Sequence, residues 1–166
     1  MKLVLKQKIL SWFNSYNIYD EYDNIVYTIK GELSWGHKLK IYDKNNIEVG
    51  VLKEKVLAFL PKFYMYDNYE NELGVISKKL SFVKPKYELS CNDWKVKGDF
   101  WEWNYQIVDS VDNKIAVIQK KFNLADNYII DISKEENALL VLMIILAIDI
   151  DKENNAIANA ASTINP

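Results

Sequence analysis

Apolar and polar positions alternate along most of this chain. Leu3 and Leu5 (with Ile9), Leu39 and Ile41, Tyr64 and Tyr66, and Trp94 and Val96 each stand two residues apart. That is the spacing of side chains on one face of a strand. Phe100–Val108 reads as a longer strand, with Trp101, Trp103, Tyr105 and Ile107 facing a core and Glu102, Asn104 and Gln106 facing solvent. Tyr128, Ile130 and Ile132 form a further short strand. Between these runs one pattern recurs: an apolar residue, an Asp, a few polar residues with an Asn, then a second alternating run. The aspartates are Asp20, Asp43, Asp67 and Asp109, and the asparagines are Asn24, Asn46, Asn71 and Asn113. Asp and Asn side chains hydrogen-bond nearby backbone and tolerate left-handed conformations, so each copy predicts a β-hairpin. Pro61 and Pro85 fall singly at strand boundaries, where a missing N–H is tolerated. About a dozen short strands at this spacing predict a sandwich or a barrel.

Near the C-terminus the period changes. Ser133 and Glu136 stand as a capping box before the run Ala138–Ile148, which has no polar position. A surface helix keeps a polar face, so this helix is expected to be surrounded by protein. Eleven residues at about 1.5 Å each reach roughly 16 Å, too short for a hydrocarbon core of about 30 Å. No transmembrane span is expected. A dozen strands and one helix that is apolar all round predict a closed, mainly β barrel of about 12 antiparallel strands around a buried C-terminal α-helix. The expected domain is 1–151, and 152–166 is expected to be a frayed or disordered tail.

Composition narrows the chemistry. The 166 residues suit one domain, and 49% hydrophobic with 27% charged residues is ordinary for a globular chain. The net charge is −2, and all 21 basic residues are lysine. A strong field for nucleic acid is therefore absent, as are the guanidinium forks that clamp phosphate bidentately. One cysteine and one histidine exclude an internal disulfide, a multi-cysteine metal site and a paired-imidazole site. Met1–Leu10 has no uninterrupted apolar stretch, so a secretory leader is not expected and the protein is read as cytoplasmic.

The stretch from Trp94 to Ile107, with Gly98-Asp99-Phe100-Trp101 at its centre, resembles the GDFW-type strand of the LURP-one-related family. Ile115–Phe122 resembles that family's next strand, and Asp126–Ile132 its D-x-Y-x-V-D-I segment. Leu139–Asp149, ending Ala147-Ile148-Asp149, resembles its closing helix. The four hairpins fit its Y-D-x-x-x-N pattern. The resemblance runs from about Met1 to Asp151. It implies a place in the tubby C-terminal-like superfamily beside the phospholipid scramblases, a twelve-stranded barrel around a hydrophobic helix, and work at lipid surfaces. The calcium loop of scramblases has no counterpart among Asp126, Asp131, Glu135 and Glu136, which lack the D-x-D-x-D-G order. No cofactor or metal is expected.

Lysines two apart recur at Lys38/Lys40, Lys53/Lys55, Lys84/Lys86 and Lys95/Lys97. Each pair projects from one face of a strand. Lys53, Lys55, Lys84, Lys86, Lys95 and Lys97 are the candidate residues for binding an anion or a lipid head group, set against an ordinary solvated barrel wall. Trp12-Phe13 and Trp35 lie near turns and are expected to pack over a barrel end, the alternative being a dip into a membrane interface. His37 has no Ser or Cys motif beside it, and Cys91 lacks the flanks of a cysteine hydrolase, so both are read as structural. The carboxylate pairs Asp20/Asp23 and Asp109/Asp112 sit in turns, not in a glycosidase arrangement. The expected function is a non-catalytic binding module for anionic lipid head groups or other anions, peripheral to a membrane. The alternative is a protein-interaction scaffold without lipid affinity. A small-molecule carrier would need lumen space that the bulky run Leu139–Leu146 fills.

Overall fold

A computed structural model describes residues 1–6, 15–32, 34–82, 84–100, 102–120 and 127–162. Twelve strands form one closed barrel. They are β1 (Lys2–Leu5), β2 (Tyr16–Tyr19), β3 (Ile25–Glu32), β4 (Lys38–Asp43), β5 (Glu48–Glu54), β6 (Lys62–Asp67), β7 (Glu72–Lys79), β8 (Lys86–Leu89), β9 (Lys95–Asp99), β10 (Asn104–Val108), β11 (Lys114–Lys120) and β12 (Tyr128–Ile132). Each strand pairs antiparallel with its sequence neighbours, and β1 pairs with β12 to close the ring. A short 3-10 turn (Glu135–Asn137) then leads into α1 (Ala138–Ser162).

Alternation does what the pattern predicts. Leu3, Leu5, Ile18, Ile29, Leu39, Ile41, Met65, Ile107, Ile118 and Ile130 are all buried inside the wall. The helix lies among them. Eight consecutive residues, Val141–Ile148, are buried. Consecutive helical residues point about 100° apart, so eight in a row cover every side. Only a helix enclosed by the barrel can do that. Glycine makes the room: a Cβ on Gly50 of β5 would stand 2.2 Å from Met143 Cε and 3.0 Å from the Tyr66 carbonyl oxygen.

The four repeated hairpins share one turn. In each, the Asp backbone carbonyl accepts from the N–H three residues on, and that third residue is left-handed: Asp23, Asn46, Glu70 and Asp112, at φ between 59° and 67°. One Asp carboxylate oxygen accepts from the amides two and four residues on, as Asp67 does from Tyr69 and Asn71, both at 2.8 Å. Each turn carries a register shift where the strands meet it. This is a type I turn closed by a left-handed bulge residue.

Two local expectations need correction. Phe100–Val108 is not one strand. β9 ends at Asp99, the chain turns, and Trp103 sits at φ 51° before β10 begins. Trp103 and Tyr105 still face inward, and Trp103 stacks on Tyr128 at 4.0 Å between ring centroids. Trp101 lies outside the described residues. Ser133 and Glu136 form no capping box, because the Ser133 hydroxyl donates to the Ile115 carbonyl at 3.1 Å and the cap position falls on Lys134. Helix continues through 152–162, within the stretch expected to be frayed or disordered. Ala156, Ala158 and Ala160 are strong helix formers, and the enclosed half supplies the nucleus on which they extend. Among the described residues, no helix is long and apolar enough to cross a membrane.

Candidate functional site

In a meander barrel, successive connections alternate between two ends. The four Asp-turn hairpins and the start of α1 share one end. The other end carries the β3–β4, β5–β6 and β7–β8 connections and the emerging second half of α1. Backbone bonds extend the strand ladders into this end. The Glu54 amide donates to the His37 carbonyl at 2.8 Å, the Lys55 amide to Lys62 at 2.8 Å, and the Lys78 amide to Pro61 at 2.9 Å.

Two inward-facing polar clusters brace this end. His37 Nδ1 lies 2.5 Å from Glu54 Oε2, which also accepts the His37 amide at 3.1 Å. Burial pushes the Glu54 carboxyl up, and these bonds to His37 outweigh it, leaving the group below its ordinary value. Asp151, only 1% exposed, accepts from Lys78 Nζ at 2.9 Å and from the Tyr87 hydroxyl at 2.6 Å. It pins the helix to β7 and β8 as it leaves the barrel. A lone buried carboxylate would be costly, and the ammonium and hydroxyl offset that cost. Burial, then Asp151, pushes the Tyr87 hydroxyl far up, so it stays a donor.

The lysine pairs separate into two kinds. Lys38 of β4 lies opposite Lys53 of β5 in the ladder. Yet Lys38 pairs with Glu32 at 2.5 Å, and Lys40 with Glu32 and Glu48 at 3.1 and 3.0 Å. That pair is neutralised. Lys53 and Lys55 are exposed on the outer face and have no carboxylate partner among the described residues. Lys53 Nζ lies 5.0 Å from the Tyr66 ring centroid, and the adjacent Lys62 lies 5.2 Å from that of Tyr64. These rings hold the ammonium groups without cancelling their charge. Lys62 was not singled out by the pairing pattern, because its partner in space is Lys55, seven residues away.

Lys84 and Lys86 lie at the same end, at the start of β8, separated from β5 by β6 and β7. At about 4.8 Å per strand that is roughly 14 Å. Lys84 pairs with Asp99 at 2.9 Å, whereas Lys86, opposite Lys79 in the ladder, has no carboxylate partner among the described residues. Lys95 and Lys97 on β9 are set apart: Lys95 is at the Asp-turn half, and Lys97 reaches Asp112 at 2.5 Å. The structure therefore brings together Lys53, Lys55 and Lys62, with Lys86 farther along the same rim, and leaves Lys95 and Lys97 outside.

The other candidates take plain structural places. Cys91 is buried, which pushes its thiol up to about 11. At neutral pH it is not a thiolate nucleophile. Asp20 and Asp109 serve their turns, Asp23 pairs with Lys6 at 2.8 Å, and Asp112 pairs with Lys97. Trp35 does not pack over the barrel end as expected. It stands in solvent, because Gly36 fits against Val56 and turns the loop outward. Trp12 and Phe13 lie outside the described residues.

This architecture defines a closed twelve-stranded barrel on a central helix. The family model described as LURP-one-related matches residues 1–149, and the chain belongs to that family. It is similar to the uncharacterised protein YxjI of Bacillus subtilis (strain 168), at 27% identity over 150 residues, covering 90% of this chain and 92% of that one. An X-ray structure of a protein from Arabidopsis thaliana has the same fold, with TM-score 0.63, 15% identity and 90% of each chain covered.

Proposed function

We propose that this protein is a cytoplasmic, non-catalytic binding module that recognises anionic lipid head groups at a membrane surface. The supporting observation is the set of Lys53, Lys55 and Lys62: three adjacent ammonium groups held on the outer wall, two of them over tyrosine rings, with no carboxylate partner among the described residues. Lys86 extends positive charge along the same rim, whereas Lys84 is paired with Asp99. Near an anionic surface each lysine contributes about 1 kcal/mol, so the three together raise affinity by roughly a hundredfold.

Vesicle co-sedimentation tests the reading. Binding is expected to phosphatidylcholine vesicles that contain phosphatidylserine, and not to phosphatidylcholine alone. It should fall steeply between about 0.1 M and about 1 M salt, as the screening length drops from about 10 Å to about 3 Å. Lys53→Gln with Lys55→Gln should weaken it about tenfold or more, whereas Lys95→Gln with Lys97→Gln should change it little. Absence of binding to the anionic vesicles at the lower salt would overturn the reading. The second reading, a protein-interaction scaffold, is favoured by Tyr22, Ile47, Tyr69 and Val111, which are exposed at the Asp-turn end, away from these lysines. It is expected to show capture of a partner that substitution of Tyr22 and Tyr69 abolishes.

A further inference from the structure

The largest exposed apolar side chains outside the Asp-turn end are not scattered. Trp35 stands on the β3–β4 connection, Leu57 and Phe59 on β5–β6, and Leu80 and Phe82 on β7–β8. Their exposures run from 73% to 105%. All five lie at one end of the barrel, on three successive connections of that end. Water-facing side chains of this size are individually unremarkable, but five gathered on adjoining tips mark a contact surface.

Charge says what they contact. From Lys55 to Lys62 the chain reads Lys-Val-Leu-Ala-Phe-Leu-Pro-Lys, and from Lys78 to Lys86 it reads Lys-Lys-Leu-Ser-Phe-Val-Lys-Pro-Lys. Neither stretch contains an acidic residue. Each places apolar tips beyond a collar of lysines, of which Lys55, Lys62 and Lys86 have no carboxylate partner among the described residues. Aromatic and aliphatic tips backed by lysines match the layered chemistry of a bilayer edge: apolar groups below the head groups, ammonium groups among the phosphates. The tips protrude on separate turns, so they suit a deformable apolar phase better than a preformed protein ridge.

We infer that this end of the barrel inserts into an anionic bilayer, with Leu57, Phe59, Leu80 and Phe82 (flanked by Trp35) entering the interfacial layer and the lysine collar resting on the head groups. The barrel then stands upright, its Asp-turn end farthest from the membrane. This deepens the proposed function and rests on it.

Site-directed labelling separates the two. Phe59→Cys, Phe82→Cys and, as reference, Tyr69→Cys at the Asp-turn end are labelled with the environment-sensitive fluorophore NBD; the native Cys91 is buried. With phosphatidylcholine–phosphatidylserine vesicles, the labels at 59 and 82 should brighten, shift to the blue and gain protection from iodide, while the label at 69 stays unchanged. Unlabelled Leu57→Glu with Phe59→Glu should lose about tenfold or more in vesicle affinity, with an unchanged melting temperature because both side chains are exposed. If the unaltered protein binds these vesicles but no label responds, or only the label at 69 does, insertion by this end is wrong and the lysine reading stands. If the unaltered protein does not bind them, both fall.

Discussion

Each turn aspartate holds its hairpin by staying charged. Asn24, Asn71 and Asn113 donate side-chain hydrogen bonds to Asp20, Asp67 and Asp109, and the Ile47 amide does the main share for Asp43. All four carboxyls are thereby held below their ordinary value of 3.8. A group lowered in the folded state stabilises above its unfolded value and loses that contribution as pH falls through its folded value. The melting temperature is therefore expected to hold steady down to about pH 4 and to fall below it. Asp67→Ala should melt lower near neutral pH and respond less to acid, which thermal denaturation across a pH series would check; an equal acid response in both proteins would contradict the account. These turns were legible in the sequence because the whole interaction fits within five residues. The Ser133 hydroxyl was not, because a carbonyl eighteen residues away captures it. Nor was Lys62, whose neighbour Lys55 is adjacent only after the strands fold back.

Among the elements, the central helix and the strand facing it set the tolerance of the core. Gly50 lies opposite Ile41 of β4 and beneath Met143 of the helix. A methyl there meets a flexible Met tip, which can move, and the Tyr66 carbonyl at 3.0 Å, which cannot move without breaking the ladder. Gly50→Ala is expected to cost about 1–3 kcal/mol. Denaturant unfolding measures this, and Met143→Ala in the same chain should recover part of the loss if the helix contact dominates. The enclosure of the helix was legible because an apolar run without a polar face has few homes. Its extension to Ser162 was not, since nothing in 152–162 repeats at helical spacing and the nucleus lies upstream. Gly98 shows a similar limit: at φ 130° with the Asn104 carbonyl 2.6 Å from a would-be Cβ, it follows from a close strand approach that no local pattern announces.

For the whole molecule, the ring decides where the candidate site falls. A closed barrel was expected from strand number and the buried helix, whereas the strand order was not; the observed meander places every second connection at one end. That sorting, absent from any single stretch of sequence, gathers the two lysine-flanked apolar connections and separates Lys95 and Lys97 from them. Closure depends on four residues: Lys2–Leu5 pair with Tyr128–Asp131 on one side and reach β2 on the other, and the Met1 amino group donates to the Ile132 carbonyl at 2.9 Å. Deleting 1–5 should expose the edges of β2 and β12 and abolish a single cooperative melting transition, as calorimetry would report; an unchanged transition would mean that the ring is not needed for stability. The same joint has a consequence in time. The first strand leaves the ribosome first, but its partner and the helix that fills the ring leave last. At about 5–20 residues per second, β1 waits several seconds or more for both, during which eleven strands have neither a seam nor a core. The newborn barrel is an open sheet with a bare apolar face, so its safe completion depends on the final stretch of chain arriving before another molecule does.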